Sequence, residues 1–514
     1  MSAQLVTNKR IAKNTLVLYV RMLLLMLVSL YTSRVILEAL GVEDFGIYNV
    51  VGGVVSLLGF FTSSLTNTSQ RYLNLGIGLG DKKLTIRYFK QCGTILFFFS
   101  LVTFLLGETI GLWFVMNKLV IPAERMFAAL WVYQFSLISV VCSINQVNFL
   151  GAIVAHERMN IYAYLGLFEA FARLFVAFSI TKSSYDHLIL YAGLTAIVSI
   201  LVFVFHIVYC KVKFDICRIG LCWDKSLVKE MTNFISANIF GCFAWSVGVQ
   251  GSNIIMNLFF GPVVNAAKGV SLQVSTVVSR FTDSVMTAVK PQIIKSYASG
   301  NISYMLNLIM KSSKLSFFIS AIIAVPILME TDSILNLWLK NVPAYAVSFT
   351  RIVIIEAMAS VFITPLWIGV NATGNIKRNQ IYGRLFTLAV LPLSYLMLCV
   401  YPNPTLAVAV CAFMQYLYWM YCVYDIKKQL NLNLHLYIIQ VVLPSFILFI
   451  VLIFVGLLIN KIWISETFVH SLINSLILII IGIIISFRLM TRGERLFVKQ
   501  FICKIFNLVK RKSR

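Results

Sequence analysis

Acidic residues are scarce in this sequence. Only 19 of its 514 residues are Asp or Glu, and charged residues of both signs make up 12%. A soluble domain carries about a quarter charged residues. A chain that is 60% hydrophobic cannot cover its surface with polar groups in water. The lipid bilayer is therefore its expected solvent. Other absences exclude chemistry. No paired carboxylates, no HExxH and no nucleophile constellation are present, and the connections expected outside the membrane are short, which argues against a membrane enzyme such as a glycan polymerase or ligase. The ten cysteines are scattered. Cys210, Cys217 and Cys222 share a connection, but their spacing fits no common zinc pattern, so no metal is expected. "GIGLGD", residues 76–81, follows no strand and reads as a loop rather than a phosphate cradle. Long alternating segments are missing too, which excludes a closed β-barrel.

What the chain does contain is apolar runs. A helix needs about 20 mostly apolar residues to cross a roughly 30 Å hydrocarbon layer. On that scale about fourteen transmembrane helices are expected. They lie near 14–37, 46–66, 89–114, 126–154, 161–180, 187–209, 232–258, 263–289, 312–335, 346–371, 379–401, 404–424, 436–459 and 467–488. The eighth is amphipathic rather than apolar all round. The first follows Lys9, Arg10 and Lys13 but is longer than a signal-peptide core and lacks a small-residue cleavage site, so it reads as a retained helix.

The net charge of +24 has a topological cause. With the N-terminus in the cytoplasm, the inside connections hold most of the Lys and Arg, including Lys82, Lys83, Arg87, Lys211, Lys213, Arg218, Lys427 and Lys428. The outside connections hold only Lys118, Arg125, Lys182, Lys340 and Lys461, with Arg34 at a helix end. This alternation follows the positive-inside rule and places both termini in the cytoplasm. Nucleic acid is not needed to explain the charge. The basic tail, residues 491–514, reads as an amphipathic helix on an anionic membrane surface.

The sequence also repeats itself at an offset of about 220 residues. Gly41 aligns with Gly261, and "YLNLGIGLGD" with "QIIKSYASGN". Trp113 falls near Trp338, "IPA" at 121–123 near "VPA" at 342–344, and Tyr162 near Tyr382. Equivalent points are six spans apart, an even number, so the two repeats are parallel. The expected architecture is an all-α integral membrane fold of two parallel six-helix repeats with two appended C-terminal helices. The lobes are 1–210 and 232–426, joined by a cytoplasmic loop at 211–231, with the appended pair at 427–490.

Transporters built from such repeats bind substrate between them. The second span carries Asn49, Ser56 and Gln70 at helical spacing, and its repeat counterpart carries Asn265, Ser279 and Asp283. Both stripes are candidates to line a wet cavity, although small polar residues also serve close helix packing. A charge at the bilayer centre costs roughly 2.5–3.5 kcal/mol by insertion scales. Within the spans, Arg21, Arg34, Arg173, Lys268, Arg280, Arg351 and Arg384 outnumber Glu169, Asp283 and Glu356. Glu169 and Arg173 are expected to pair at i, i+4. Arg21, Arg34, Lys268, Arg280 and Arg351 are the candidate substrate-binding cations. A cavity lined this way attracts anions, and arginine's fork suits phosphate.

One stretch carries a family likeness. "RVILEALGVEDFGIYNVVGGVVSLLGFF", followed by "SQRYLNLGIGLGD", resembles the start of bacterial polysaccharide (O-antigen and capsule) flippases. These belong to the multidrug/oligosaccharidyl-lipid/polysaccharide exporter superfamily. The turn from Leu40 to Val50 carries most of the match. The resemblance implies a V-shaped pair of lobes in the bacterial inner membrane. It also implies alternating access and an undecaprenyl-diphosphate-linked oligosaccharide as cargo, moved from the inner to the outer leaflet. Expected partners are that cargo, membrane lipids, and the polymerase and chain-length regulator that use it. No cofactor is expected; coupling to Na+, H+ or membrane potential is left open. The alternative is a multidrug cation antiporter of the same superfamily, which needs an intramembrane carboxylate. Asp283 and Glu356 keep it open.

Overall fold

The computed structural model describes residues 2–60, 62–156, 158–375, 377–462, 468–491 and 494–495, with backbone alone over 2–21. Among these residues the fold is all helix: α1 (Ser2–Leu58), α2 (Thr62–Gly78), α3 (Lys82–Leu106), α4 (Leu112–Asn117), α5 (Met126–Ala155), α6 (Met159–Ile180), α7 (His187–Lys213), α8 (Lys225–Phe260), α9 (Pro262–Ala298), α10 (Ile302–Met329), α11 (Thr331–Trp338), α12 (Ala346–Thr373), α13 (Arg384–Val400), α14 (Pro404–Leu430), α15 (Leu434–Tyr437), α16 (Leu443–Ile462) and α17 (Phe468–Leu489). Eleven helical stretches among the described residues are long and apolar enough to cross a membrane. The second expected span is fused to the first in α1, and the seventh and eighth form helices, α8 and α9, outside that apolar set. The expected second span also ends too early. After a break near Gly59 the polar stretch from Thr62 continues as helix to Gly78, because helical hydrogen bonding needs no apolar run.

The repeat is visible in the backbone. Gly41 interrupts α1 at φ 76° and ψ 172°. Gly261, between α8 and α9, has φ 75° and ψ −171°. Residues with a side chain rarely adopt this conformation, so the aligned glycines mark one sharp turn used twice. The second aligned pair behaves alike: Gly80 and Gly300 have φ 69° and 75°. Asp81 then caps α3 through the Leu84 amide, at 3.0 Å, and Asn301 caps α10 through the Tyr304 amide, at 3.1 Å. "GIGLGD" is thus a helix end and an N-cap.

The chain divides into two compact units: Met1–Gln273 with Trp338–Phe349 and Gln380–Cys411, and Val274–Leu337 with Thr350–Asn379 and Ala412–Arg514. In the first unit, Leu65 and Tyr72 of α2, Cys92 and Leu96 of α3, Ile144 of α5 and Ile235 of α8 form one buried cluster. Small residues bring α8 against α13. A Cβ on Gly248 would lie 2.8 Å from the Thr387 carbonyl oxygen, and one on Gly251 would meet Leu391 at 2.6 Å. A five-residue π turn at Gly107–Gly111 follows α3. The Tyr133 hydroxyl donates to the Gly107 carbonyl there at 2.6 Å.

Arg125 clasps the expected outer end of this unit. It donates to Asp44 beyond the Gly41 turn at 2.8 Å and to Asp186 at 2.6 Å. Asp186 in turn caps α7 through the amides of Leu188 and Ile189. Burial would raise the Asp186 pKa, but the Arg125 hydrogen bonds and these two amides outweigh it and hold the carboxyl below its usual range. A lowered folded pKa means that this contribution to stability is present above the unfolded value, about 3.9, and is lost as pH falls through the folded value. Arg125→Ala leaves Asp44 half-buried and unpaired. A loss of about 2–3 kcal/mol is expected, read as a lower unfolding temperature in detergent. Arg125→Lys should recover little, since one ammonium cannot fork across two carboxylates. An unchanged unfolding temperature for both variants would show the clasp to be screened.

The second unit is built on an aromatic stack. Phe317 of α10 lies 4.5 Å from Phe362 of α12, which lies 4.8 Å from Trp419 of α14. Phe446 of α16 packs against all three. The appended helices are therefore part of this unit's core. They are pinned to the middle of α10 and just past its C-terminal end. Lys314, 4% exposed, donates to the Leu489 carbonyl at 2.9 Å and to Glu494 at 3.0 Å. Just past the C-terminal end, Glu330 accepts from Asn474 at 3.3 Å.

Candidate functional site

Of the polar residues expected on the second and eighth spans, Asn49 and Asn265 lie in one cluster inside the first unit, where α1 beyond Gly41, α8 and the first turns of α9 come together. Asn265 is fully buried and donates to the Asn253 carbonyl and side-chain oxygens, each at 2.7 Å. Asn253 donates to the Asn49 carbonyl at 3.5 Å, and the Asn49 amide is spent on Phe45 of its own helix at 2.7 Å. Two glycines permit this approach. A Cβ on Gly269 would lie 3.0 Å from the Asn49 amide, and one on Gly53 would lie 3.0 Å from the Gln250 oxygen. The Asn265 oxygen, Oδ1, is buried with no hydrogen-bond partner.

Lys268 stands one turn along the same face of α9. It is 4% exposed, and no acidic side chain among the described residues lies within ion-pair distance of it. Its own turn is closed by the Ser271 hydroxyl, which donates to the Lys268 carbonyl at 2.8 Å. Burying a cation without a counter-charge costs several kcal/mol. The cost falls if an anion is brought to it. A buried amide cluster with one ammonium that has no acidic side chain within ion-pair distance among the described residues suits a solute with anionic oxygens and hydroxyl groups.

The other sequence candidates are placed as follows. The side chain of Arg21 and the basic tail at 496–514 lie outside the described residues. Arg34 is half-buried in α1, in a stretch held by the Trp338 indole donating to the Leu30 carbonyl at 2.8 Å and by an ion pair between Lys340 and Glu38. Ser56 is half-buried, and its hydroxyl donates to Gly53 of its own helix at 2.8 Å, as a packing residue does. Gln70 is half-buried on α2. Ser279 and Arg280 are half-buried and Asp283 exposed along α9 in the second unit, and Arg280 and Asp283 are close enough to interact. Arg351 is exposed and bonded to Asp332 at 2.7 Å. Its partner sits in another helix, so spacing within α12 could not reveal it.

The Glu169–Arg173 pair forms as expected, at 2.9 Å. Gln250, Asn253 and Asn257 were missed by the sequence reading. Their i, i+3, i+7 spacing in α8 is the same stripe signal, in a run that reads as apolar. Asn257 is fully buried and bonds both ways to the backbone of Val120, at 2.9 and 3.2 Å. Buried Lys314, Glu330 and Asp425 were missed as well. Asp425 is fully buried, 3.3 Å from Arg378 and within 3.4 Å of Asn379. Each of these three is already bonded, which marks it as structural.

Among the described residues the chain is all-helical, with eleven stretches long and apolar enough to cross a membrane, and this fold is shared by solved transporter structures. No family model and no curated protein matches the sequence. Solved structures do share the fold. The lipid II flippase MurJ in its inward closed conformation superposes with a TM-score of 0.68 at 12% identity, over 91% of this chain and 98% of that one. An inward-facing multidrug resistance MATE family transporter of the MOP superfamily gives 0.64 at 12% identity, over 80% and 99%. A MOP superfamily transporter from Pyrococcus furiosus gives 0.53 at 13% identity, over 82% and 96%; it is described as having a reverse polarity of binding pocket that suggests a different function.

Proposed function

We propose that this chain is an alternating-access flippase of the bacterial inner membrane. It moves an undecaprenyl-diphosphate-linked oligosaccharide from the inner to the outer leaflet for surface polysaccharide synthesis, with both termini in the cytoplasm. The observation that carries this reading is Lys268, a buried cation with no acidic side chain within ion-pair distance among the described residues, one helical turn from the Asn265 amide oxygen, which is buried with no hydrogen-bond partner among them. A diphosphate supplies the missing negative charge, and sugar hydroxyls supply donors for Asn265 and its neighbours. Such a headgroup cannot cross hydrocarbon bare; the site shelters it while its lipid tail stays in the bilayer. Outward movement of a negative group runs with an inside-negative potential, worth about 2.3 kcal/mol per charge per 100 mV. Arg21, Arg34 and Arg280 are proposed as further cargo contacts on sequence grounds. A polymerase and a chain-length regulator would act on the delivered glycan.

The fold alone does not separate a flippase from a cation antiporter, and exposed Asp283 is what favours the second reading. Asp283 is itself close to Arg280, Glu356 is the other acid that keeps that reading open, and Glu169, Glu330 and Asp425 are bonded to Arg173, Asn474 and Arg378. Deleting the gene tests the choice. The expected result is loss of surface glycan with accumulation of its lipid-linked precursor on the inner leaflet, restored by the intact gene. Unchanged glycan with raised sensitivity to cationic drugs would replace the flippase with the antiporter.

A further inference from the structure

A second binding feature lies apart from the Lys268 site, at the end of the first unit that the charge pattern places in the cytoplasm. There α3, α5 and α7 enclose a groove of about 290 Å³, roofed by residues 218–221 of the connection between α7 and α8. Its walls are mainly apolar and include Phe97, Phe203 and Ile207. Two cations stand at its edge, Lys90 on α3 and Arg218 on the roof. A Cβ on Gly220 would lie 3.6 Å from the Lys90 ammonium, so the roof passes directly over that lysine.

The roof is fixed, and its acids are taken. The Cys222 amide donates to the Thr94 hydroxyl at 3.0 Å, and the Asp224 amide donates to Gln91 at 2.9 Å. The two carboxylates that flank the segment are bound elsewhere on α3, Asp215 to Lys82 at 2.7 Å and Asp224 to Arg87 at 2.5 Å. That leaves Lys90 without an ion-pair partner among the described residues, while Arg218 acts on Asp215 through space without forming an ion pair with it. The same segment turns large apolar side chains outward: Ile219 is 57% exposed, Leu221 76% and Trp223 65%. Exposed aliphatics with a tryptophan beside cations are the composition of a segment resting at the headgroup level of a bilayer.

We propose that this groove holds an anionic phospholipid of the inner leaflet. Its phosphate lies between Lys90 and Arg218, one acyl chain lies along Phe97, Phe203 and Ile207, and Ile219, Leu221 and Trp223 enter the surrounding lipid. A neutral phospholipid satisfies the apolar wall but leaves Lys90 without a counter-charge and Arg218 facing only Asp215, which is already paired with Lys82. A free phosphate satisfies the cations but leaves the wall wet. An anionic lipid satisfies both. The inference rests on the proposed orientation of the chain and not on the identity of its cargo.

The test is native mass spectrometry of the full chain in neutral detergent, titrated with phosphatidylglycerol or phosphatidylcholine. One phosphatidylglycerol should be retained in preference to phosphatidylcholine. At about 1 kcal/mol per basic residue, Lys90→Gln with Arg218→Gln should weaken that retention about 30-fold. The same charge change at exposed Lys83 and Lys225 should not weaken it. Ile207→Trp, which fills the groove without altering charge, should displace the lipid and guards against a folding defect in the double variant. Equal retention of both lipids, undiminished phosphatidylglycerol binding in the Lys90/Arg218 and Ile207 variants, or displacement of the lipid by inorganic phosphate would each overturn the proposal.

Discussion

Lys268→Ala is expected to lower glycan export 10-fold or more while leaving the amount and unfolding temperature of the protein unchanged or raised. Two energies are at work in this side chain. In the absence of cargo, Lys268 is a buried ammonium without a carboxylate among the described residues, so removing it relieves a desolvation cost. With cargo, it supplies a charge-assisted contact worth about 1.5–3 kcal/mol, and its loss corresponds to roughly 10- to 150-fold in affinity. A residue that serves only packing would behave in the opposite way, since its truncation lowers stability first. Lys268→Arg, which keeps the charge but needs more room, should retain partial export. Lys268→Glu should abolish it. The measurement is surface glycan per cell, normalised to the amount of folded protein in the membrane. Wild-type export from Lys268→Ala would remove the site, and with it the main support for an anionic cargo.

Gly46→Ala is expected to cost more than about 3 kcal/mol and to prevent accumulation of the folded protein. A Cβ at position 46 would stand 1.9 Å from the Pro262 carbonyl oxygen and 2.6 Å from its carbon. Ordinary overpacking costs about 1–3 kcal/mol because side chains can move aside. Here the obstacle is backbone, held by the turn at Gly261 and by the ring of Pro262. The close approach of α1 to α9 that Gly46 allows also brings Asn49 to Gly269 and builds the polar cluster. Gly52→Ala on the same helix is the control. Nothing lies within 4 Å of a Cβ there, and replacing a helical glycine by alanine gains up to about 1 kcal/mol. Equal accumulation of both variants would show that the α1–α9 contact is looser than the structure draws it.

Much of the fold was legible because it is local. Helix formation over apolar runs depends on residues a few positions apart, and the bilayer requires every backbone group in a span to be satisfied within its own helix. The repeat was legible for a related reason. A sharp turn without a Cβ needs glycine, so Gly41 with Gly261 and Gly80 with Gly300 left matching marks at one offset. Glu169 with Arg173 was legible as a pair one turn apart.

What the sequence by itself determined, then, is the all-helical fold, most of its helices and their repeat. The tertiary structure decided which charges are spoken for. Arg351 and Lys268 look alike in sequence, each a basic residue in an apolar run. Yet Arg351 meets Asp332 from another helix, whereas Lys268 is buried with no acidic side chain within ion-pair distance among the described residues. Likewise α8 reads as apolar, and only its packing against α1 and α9 turns Gln250 and Asn253 into part of a site. Helical periodicity is fixed within one segment, whereas charge compensation depends on which segments meet, and that is set by packing between residues far apart in the chain.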